Sequence, residues 1–369
     1  MRLRKTVTLT VAGVAVAAGA TTAGLLASAA TAAPVKPEQN PSYQVRDVVY
    51  GWNQKHTNSH TGKSEELTDP AGLTQYDGTL YAAFTNGVGS AGQASASGNL
   101  DSTILQFTPG GSVQAQWDVA GQAEGLAANP STGAIIVTVN SAADSSIYSI
   151  QPGGSVTHYA YSEALPSKGG TGEATYFGGQ LLVTASQPTA PAASSPAVYS
   201  VSLDQATKVA AVKAYYWDNS AAKIANDNGG SGDQLGTNVS LDLTSPSSIS
   251  VLASTAPRLA NHLIVSSGSS EVIGSYSGSL WDLKTSEPVG DVAVVTSWNG
   301  TLYASNPVTD TVNSVGNLPI WPGTAFVAVN PGTSSATVER LNLESGQLLS
   351  QGFWGVGLVP QDLLYVPGS

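Results

Sequence analysis

The chain of 369 residues carries 14 Lys and Arg against 25 Asp and Glu, a net charge of −11, and contains no cysteine. The lack of thiols excludes disulfides, thiolate metal sites and cysteine nucleophiles, and the acidic balance, with no basic run after residue 5, argues against nucleic acid and anionic membrane surfaces as partners. With 40 glycines, 20 prolines and little helical periodicity, the composition points to an all-β protein long enough for a large core.

Residues 1–32 join a basic start (Arg2, Arg4, Lys5) to a weakly apolar Ala/Val/Leu run and a small-residue end, Ala30-Thr31-Ala32. This reads as an export signal cleaved after Ala32, leaving one secreted domain over residues 33–369 with 11 basic and 25 acidic residues. A retained anchor is the alternative; the run is mostly Ala, Gly and Thr, and no basic stop follows it. Next come His56 and His60, an H-x3-H pair near Glu65 and Glu66. On a helix that spacing would put both imidazoles on one face for zinc, but the flanks "NQKHTNSHTGK" read as loop.

Residues 72–87, "GLTQYDGTLYAAFTNG", set a short apolar strand on either side of an Asp-Gly turn, and related segments recur at 125–139, 172–185, 294–305 and 357–367. Gly or Asn in such a turn supplies the positive φ that a two-residue hairpin needs. A second element follows the first: "ILQFTPGGSVQAQW" (104–117) and "IYSIQPGGSVTHYA" (147–160) share Pro-Gly-Gly-Ser-Val, and 198–217 and 338–354 fit the same place. The repeat is therefore an inner strand followed by an outer hairpin, in units of four short strands recurring every 40–50 residues, which predicts a β-propeller. Starts at Gly72, Gly125, Gly172, near Ser247 and near Val294 give five units, and the strand after Gly357 joins residues 43–71 as a sixth, so that one blade is closed by both chain ends. Five to seven blades are compatible with the spacing; a β-sandwich or jelly roll is the competing fold. Residues 217–238 read as a surface insertion in the third unit, and 187–196 as a low-complexity loop.

Four acids precede or begin inner strands: Asp69, Glu124, Glu173 and Asp291. Inner strands line a propeller's channel, so these carboxylates could converge on one mouth and hold Ca²⁺; the plainer reading makes them solvated turn acids. "NDNGGSGDQLG" (226–236) fails both the EF-hand and the stacked nonapeptide calcium patterns. No G-x-S-x-G appears to mark a nucleophile. Among seven tryptophans, Trp298 and Trp321 are the ones expected to be exposed near a propeller face, where they could stack on a glycan. Trp117-Asp118, Trp217-Asp218 and Trp281-Asp282 are outer-strand residues and not a WD repeat, since their spacing is irregular.

With Gly-Leu starts to its inner strands and Pro-Gly-Gly outer hairpins over roughly residues 43–369, the chain resembles secreted six-bladed propellers of the NHL-repeat and gluconolactonase-like superfamily. In the gluconolactonase-like group a Glu in an E-G-P context on the first inner strand helps hold a divalent cation; Glu124-Gly125-Leu126 is the nearest match, with a different third residue and a later blade. Counterparts of that group's Asn and Asp ligands are not found. The sequence thus supports an exported, monomeric six-bladed propeller binding a ligand or partner at a channel mouth. Two other readings stand beside it: a metal-dependent lactonase-type hydrolase and a glycan- or cell-wall-binding protein.

Overall fold

The computed structural model describes residues 44–165, 170–186, 195–226, 234–256, 258–267, 271–276, 279–316, 321–331, 335–350 and 358–368. The segment read from sequence as an export signal, and most of the segments 187–196 and 226–236 read as a loop and a flexible turn, lie outside them. The described chain is all-β, apart from one 3-10 turn at Gly51–Asn53.

Local turn chemistry builds the repeat. Asp77 and Gly78 take φ of 47° and 74°, the left-handed pair that a two-residue turn requires. Pro70–Tyr76 therefore folds straight back as Thr79–Phe84. Gly111 and Gly153, with φ of 85° and 74°, turn the two Pro-Gly-Gly hairpins, pairing Asp101–Phe107 with Val113–Ala120 and Ser146–Ile150 with Val156–Tyr161.

Among the described residues, six four-stranded antiparallel units can be followed. Their innermost strands are Pro70–Tyr76, Ala123–Ala128, Thr171–Phe177, Pro246–Val251, Val289–Val294 and Leu363–Val366, each touching the next and the sixth touching the first. Apolar side chains pack between neighbours all the way round: Ile104 and Val137 join the first and second units, Ile136 and Val183 the second and third, and Val198 and Val265 the third and fourth. Val272 and Val327 join the fourth and fifth, Leu302 and Phe326 the fifth and sixth, and Tyr303 and Leu80 the sixth and first. A sheet ring with a separate core at every interface is a β-propeller. The sandwich alternative, with one core between two stacked sheets, does not describe it.

Both chain ends meet in the sixth unit. Its order from the channel outward is Leu363–Val366, Thr301–Asn306, Thr311–Gly316 and Gln44–Tyr50, so the first and last strands close the ring as expected. Two sequence expectations need correction. The segment 294–305 reads as one hairpin, yet Val289–Val294 pairs with Ala325–Val329 in the fifth unit while Thr301–Asn306 belongs to the sixth. The chain crosses to the neighbouring unit and returns, a choice of partner that no local turn signal encodes. The segment 217–238 is likewise more than a surface insertion of the third unit. Ala221–Ile224 runs parallel to Ser279–Lys284 and carries Asn238–Ser240, extending the fourth unit to six strands. A shorter parallel contact, Ala160 and Tyr161 beside Val209 and Ala210, stitches the outer edges of the second and third units together.

Candidate functional site

The first five innermost strands share one irregularity. Each shifts register at its start: between Pro70 and Leu73, Ala123 and Leu126, Thr171 and Ala174, Pro246 and Ser248, and Val289 and Asp291. Such a bulge re-aims consecutive side chains, and here residues at the bulges border a small cavity of about 50 Å³ lined by Glu124, Glu173, Ser247, Asp291, Gln361 and Asp362, among others. Three of the four acids expected at the channel thus line one cavity. Asp69 does not: it has φ of 55°, and its backbone N–H donates to Asp310 Oδ1 at 2.8 Å. Burial, followed by the charge of Asp310, raises its carboxyl pKa.

Asp362 was not expected. With the strand start read at Gly357, it fell in mid-strand. The usable signal is the residue before the first apolar core side chain past the strand's initial register shift, since Gly72-Leu73, Gly125-Leu126, Glu173-Ala174 and Asp291-Val292 share that position, and Asp362-Leu363 begins the last strand in the same way.

The ring closes at this level in two ways. Around the first three units the strands approach too closely for side chains: a Cβ on Gly72 would lie 2.5 Å from the Glu124 carbonyl oxygen, and one on Gly125 2.5 Å from Glu173 Oε2. Around the other three, carboxylates bridge the units. Asp291 accepts from Ser248 Oγ at 2.5 Å and from the Leu363 N–H at 2.6 Å. Asp362 accepts from the Leu73 N–H at 2.5 Å across the closing seam, and from the Leu363 N–H at 2.9 Å. Glu124 accepts from Ser141 Oγ at 2.7 Å.

Burial pushes the Glu124 carboxyl pKa up against the Ser141 hydrogen bond. It pushes Glu173 well above the carboxylate range, with Asp291 and Glu124 adding repulsion. Asp362 is also raised well above it, by burial and then by Asp291, through charge and a carboxyl-to-carboxyl hydrogen bond. The Asp362 carboxyl therefore holds its proton to higher pH than a free aspartate does.

This donor set does not fit a divalent cation as it stands. Among the described residues no three His, Asp or Glu side chains stand together in a metal-holding arrangement, and the two Asp carboxyls are taken up by backbone, hydroxyl and each other. His56 and His60 form no zinc pair either. His56 is buried in the hairpin of Lys55–Thr57 with Ser64–Glu66, its Nε2 4.0 Å from Glu65 Oε2, while the His60 ring lies against Gly98.

The second candidate lies beyond the other end of the fifth innermost strand. Trp298 follows that strand and Trp321 precedes its partner, and the two indoles meet edge to face with centroids 4.8 Å apart and planes at 68°. They are 55% and 68% exposed, in a fold that buries most of its large apolar side chains. Trp321 also walls a pocket of about 440 Å³ lined by Thr255, Arg340, Asn342, Glu344 and Leu349. Two tryptophans 23 residues apart in sequence are brought together because the chain crosses to the sixth unit and comes back between them.

No protein-family model matches the chain, and no curated protein matches it. Among solved structures it is similar to a putative 6-phosphogluconolactonase from Bacteroides uniformis, at 12% identity over 88% of this chain and 99% of that one, with a TM-score of 0.43. Citrobacter koseri AztD is 12% identical over 84% and 94% of the two chains, with a TM-score of 0.37. Kuenenia stuttgartiensis hydrazine synthase is 14% identical over 77% and 69%, also with a TM-score of 0.37. The propeller assignment rests on the sheet order and the unit interfaces.

Proposed function

We propose that this protein is an exported, non-catalytic six-bladed propeller that binds a carbohydrate chain on the face carrying Trp298 and Trp321. The observation that supports this reading is the exposed indole corner beside a pocket of about 440 Å³, a volume in the range of small-molecule sites. Two adjoining exposed indoles form a contiguous apolar patch of the kind that marks a binding site, and the apolar face of a pyranose ring fits against an indole while its hydroxyls reach polar groups such as Asn342 and Thr255. The repeat pattern supports kinship in fold with NHL-repeat and gluconolactonase-like propellers. The channel does not extend that kinship to lactone chemistry, because about 50 Å³ holds one or two waters and no sugar lactone.

The test is retention on insoluble polysaccharide. Trp298→Ala and Trp321→Ala are each expected to weaken binding by about 2 kcal/mol, roughly thirtyfold, as for the loss of a central aromatic anchor, with unchanged melting temperature. Retention unaffected by both substitutions would sink the proposal. The calcium alternative makes the opposite prediction in a thermal melt. A cation site saturated about a thousandfold adds roughly 4 kcal/mol and so several degrees, whereas we expect the same melting temperature in millimolar Ca²⁺ and in EDTA.

A further inference from the structure

Arginine is scarce in this chain: beyond residue 32 there are only Arg46, Arg258 and Arg340. One of these three lines the pocket beside the indole corner, and a second bonds the backbone of a residue that lines it. Arg258 Nη1 donates to the Glu344 carbonyl oxygen at 3.1 Å. Arg340 lines the pocket itself, half-buried on the strand Thr337–Leu341. Its backbone is held between Phe326 and Leu349, but among the described residues its guanidinium meets no carboxylate and makes no hydrogen bond. Arg340 thus brings a cationic donor fork to the wall of a pocket in a protein with a large excess of acidic residues.

Resting on the carbohydrate reading above, we infer that the ligand is an acidic polysaccharide, a uronate-bearing chain whose carboxylate is taken by Arg340 while the ring carrying it lies in the corner of Trp321 and Trp298. The planar guanidinium offers two parallel N–H donors that match a carboxylate. The indole walls supply stacking, and the pocket's partial enclosure reduces screening of the charge. The negative charge of the whole protein opposes an anionic polymer at long range, but at physiological ionic strength the Debye length is about 8 Å, so the local arginine decides. Glu344, exposed on the same rim, limits how many carboxylates can approach and favours one per site.

The probes are polygalacturonate and the same polymer fully methyl-esterified, which differ only in the carboxylate, with dextran sulfate as a third. The full chain is expected to bind the acid form at least tenfold more tightly than the ester, with the preference shrinking as salt is raised from 50 to 500 mM. Arg340→Gln is expected to abolish the acid-over-ester preference while leaving ester binding within twofold. Arg340→Lys, which keeps the charge without the fork, is expected to restore only part of it, with both variants melting like the parent. Trp321→Ala is expected to lose both forms together. An acid-to-ester ratio unchanged in Arg340→Gln would overturn this inference and leave the carbohydrate reading standing, whereas full binding of both forms by Trp321→Ala would overturn that reading itself. Retention on neither polymer, or tighter Arg340-dependent binding of dextran sulfate, would also overturn the carboxylate assignment.

Discussion

A chain ending at Leu358 is expected to be unfolded, or to lose cooperative melting, at 25 °C. The strand removed supplies Leu363 and Val366, buried at 5% and 8% exposure, together with Tyr365 at 7%. The two aliphatic side chains alone account for about 3–6 kcal/mol of burial, set against a total stability of roughly 5–15 kcal/mol. The loss extends past those contacts. Thr301–Asn306 is left without its inner neighbour, and the Leu73 N–H loses the Asp362 carboxylate that ties the sixth unit to the first. Circular dichroism melts and limited proteolysis of the truncated and full chains would decide it. A truncated chain melting within two degrees of the full one would show that the last strand does not hold the ring.

The second large effect concerns Asp362 and pH. Its carboxyl, like that of Glu173, has a folded-state pKa raised well above the unfolded value, so the folded protein holds these protons more tightly than the unfolded chain. Their stabilising contribution is fully present below the unfolded pKa, near 4, and is lost as pH rises through the folded value. The urea midpoint is therefore expected to be higher at pH 5 than at pH 7.5. Glu65 and Asp204, whose pKa values are lowered by hydrogen bonds, act in the other direction, but Asp204 is exposed and Glu65 only partly covered, so both are weak contributors.

Asp362→Asn keeps an acceptor for the Leu73 N–H while removing the titration and its repulsion of Glu173. It is expected to flatten the pH dependence and to match or exceed the parent at pH 7.5. Asp362→Ala, which leaves that buried N–H without an acceptor, is expected to cost about 1–3 kcal/mol at pH 5. A parent midpoint that falls from pH 7.5 to pH 5, or an Asp362→Asn variant that keeps the parent's full pH dependence, would refute the raised Asp362 pKa as its source.

What the sequence made legible was the part written in local chemistry. Asp77-Gly78 and the two Pro-Gly-Gly turns force hairpins wherever they occur, so the repeat and the closing role of the last strand could be read directly. Partner choice between strands is not local, and the apparent hairpin at 294–305 shows the consequence: an Asn-Gly turn between apolar strands, with Asn299 at a φ of 67°, joins strands of two different units. The same distinction divides the acids. Glu124, Glu173 and Asp291 were found by their position at strand starts, whereas Asp362 required the register of a ring whose seam is set by the last strand. Trp298 and Trp321 could be named as exposed, but their meeting depends on a crossing that no residue pattern announces.

That crossing also bears on how the chain reaches its final form. Each of the first four units draws its strands from one continuous stretch, so a chain emerging from the ribosome can finish them in turn. From residue 289 onward this is no longer so: the fifth unit waits for strands that follow the sixth unit's hairpin, and the sixth waits for both the first and the last strand. Roughly the last 80 residues must therefore assemble as one event over long sequence separations, a slow kind of step, and the indole corner comes into being only when that event is complete.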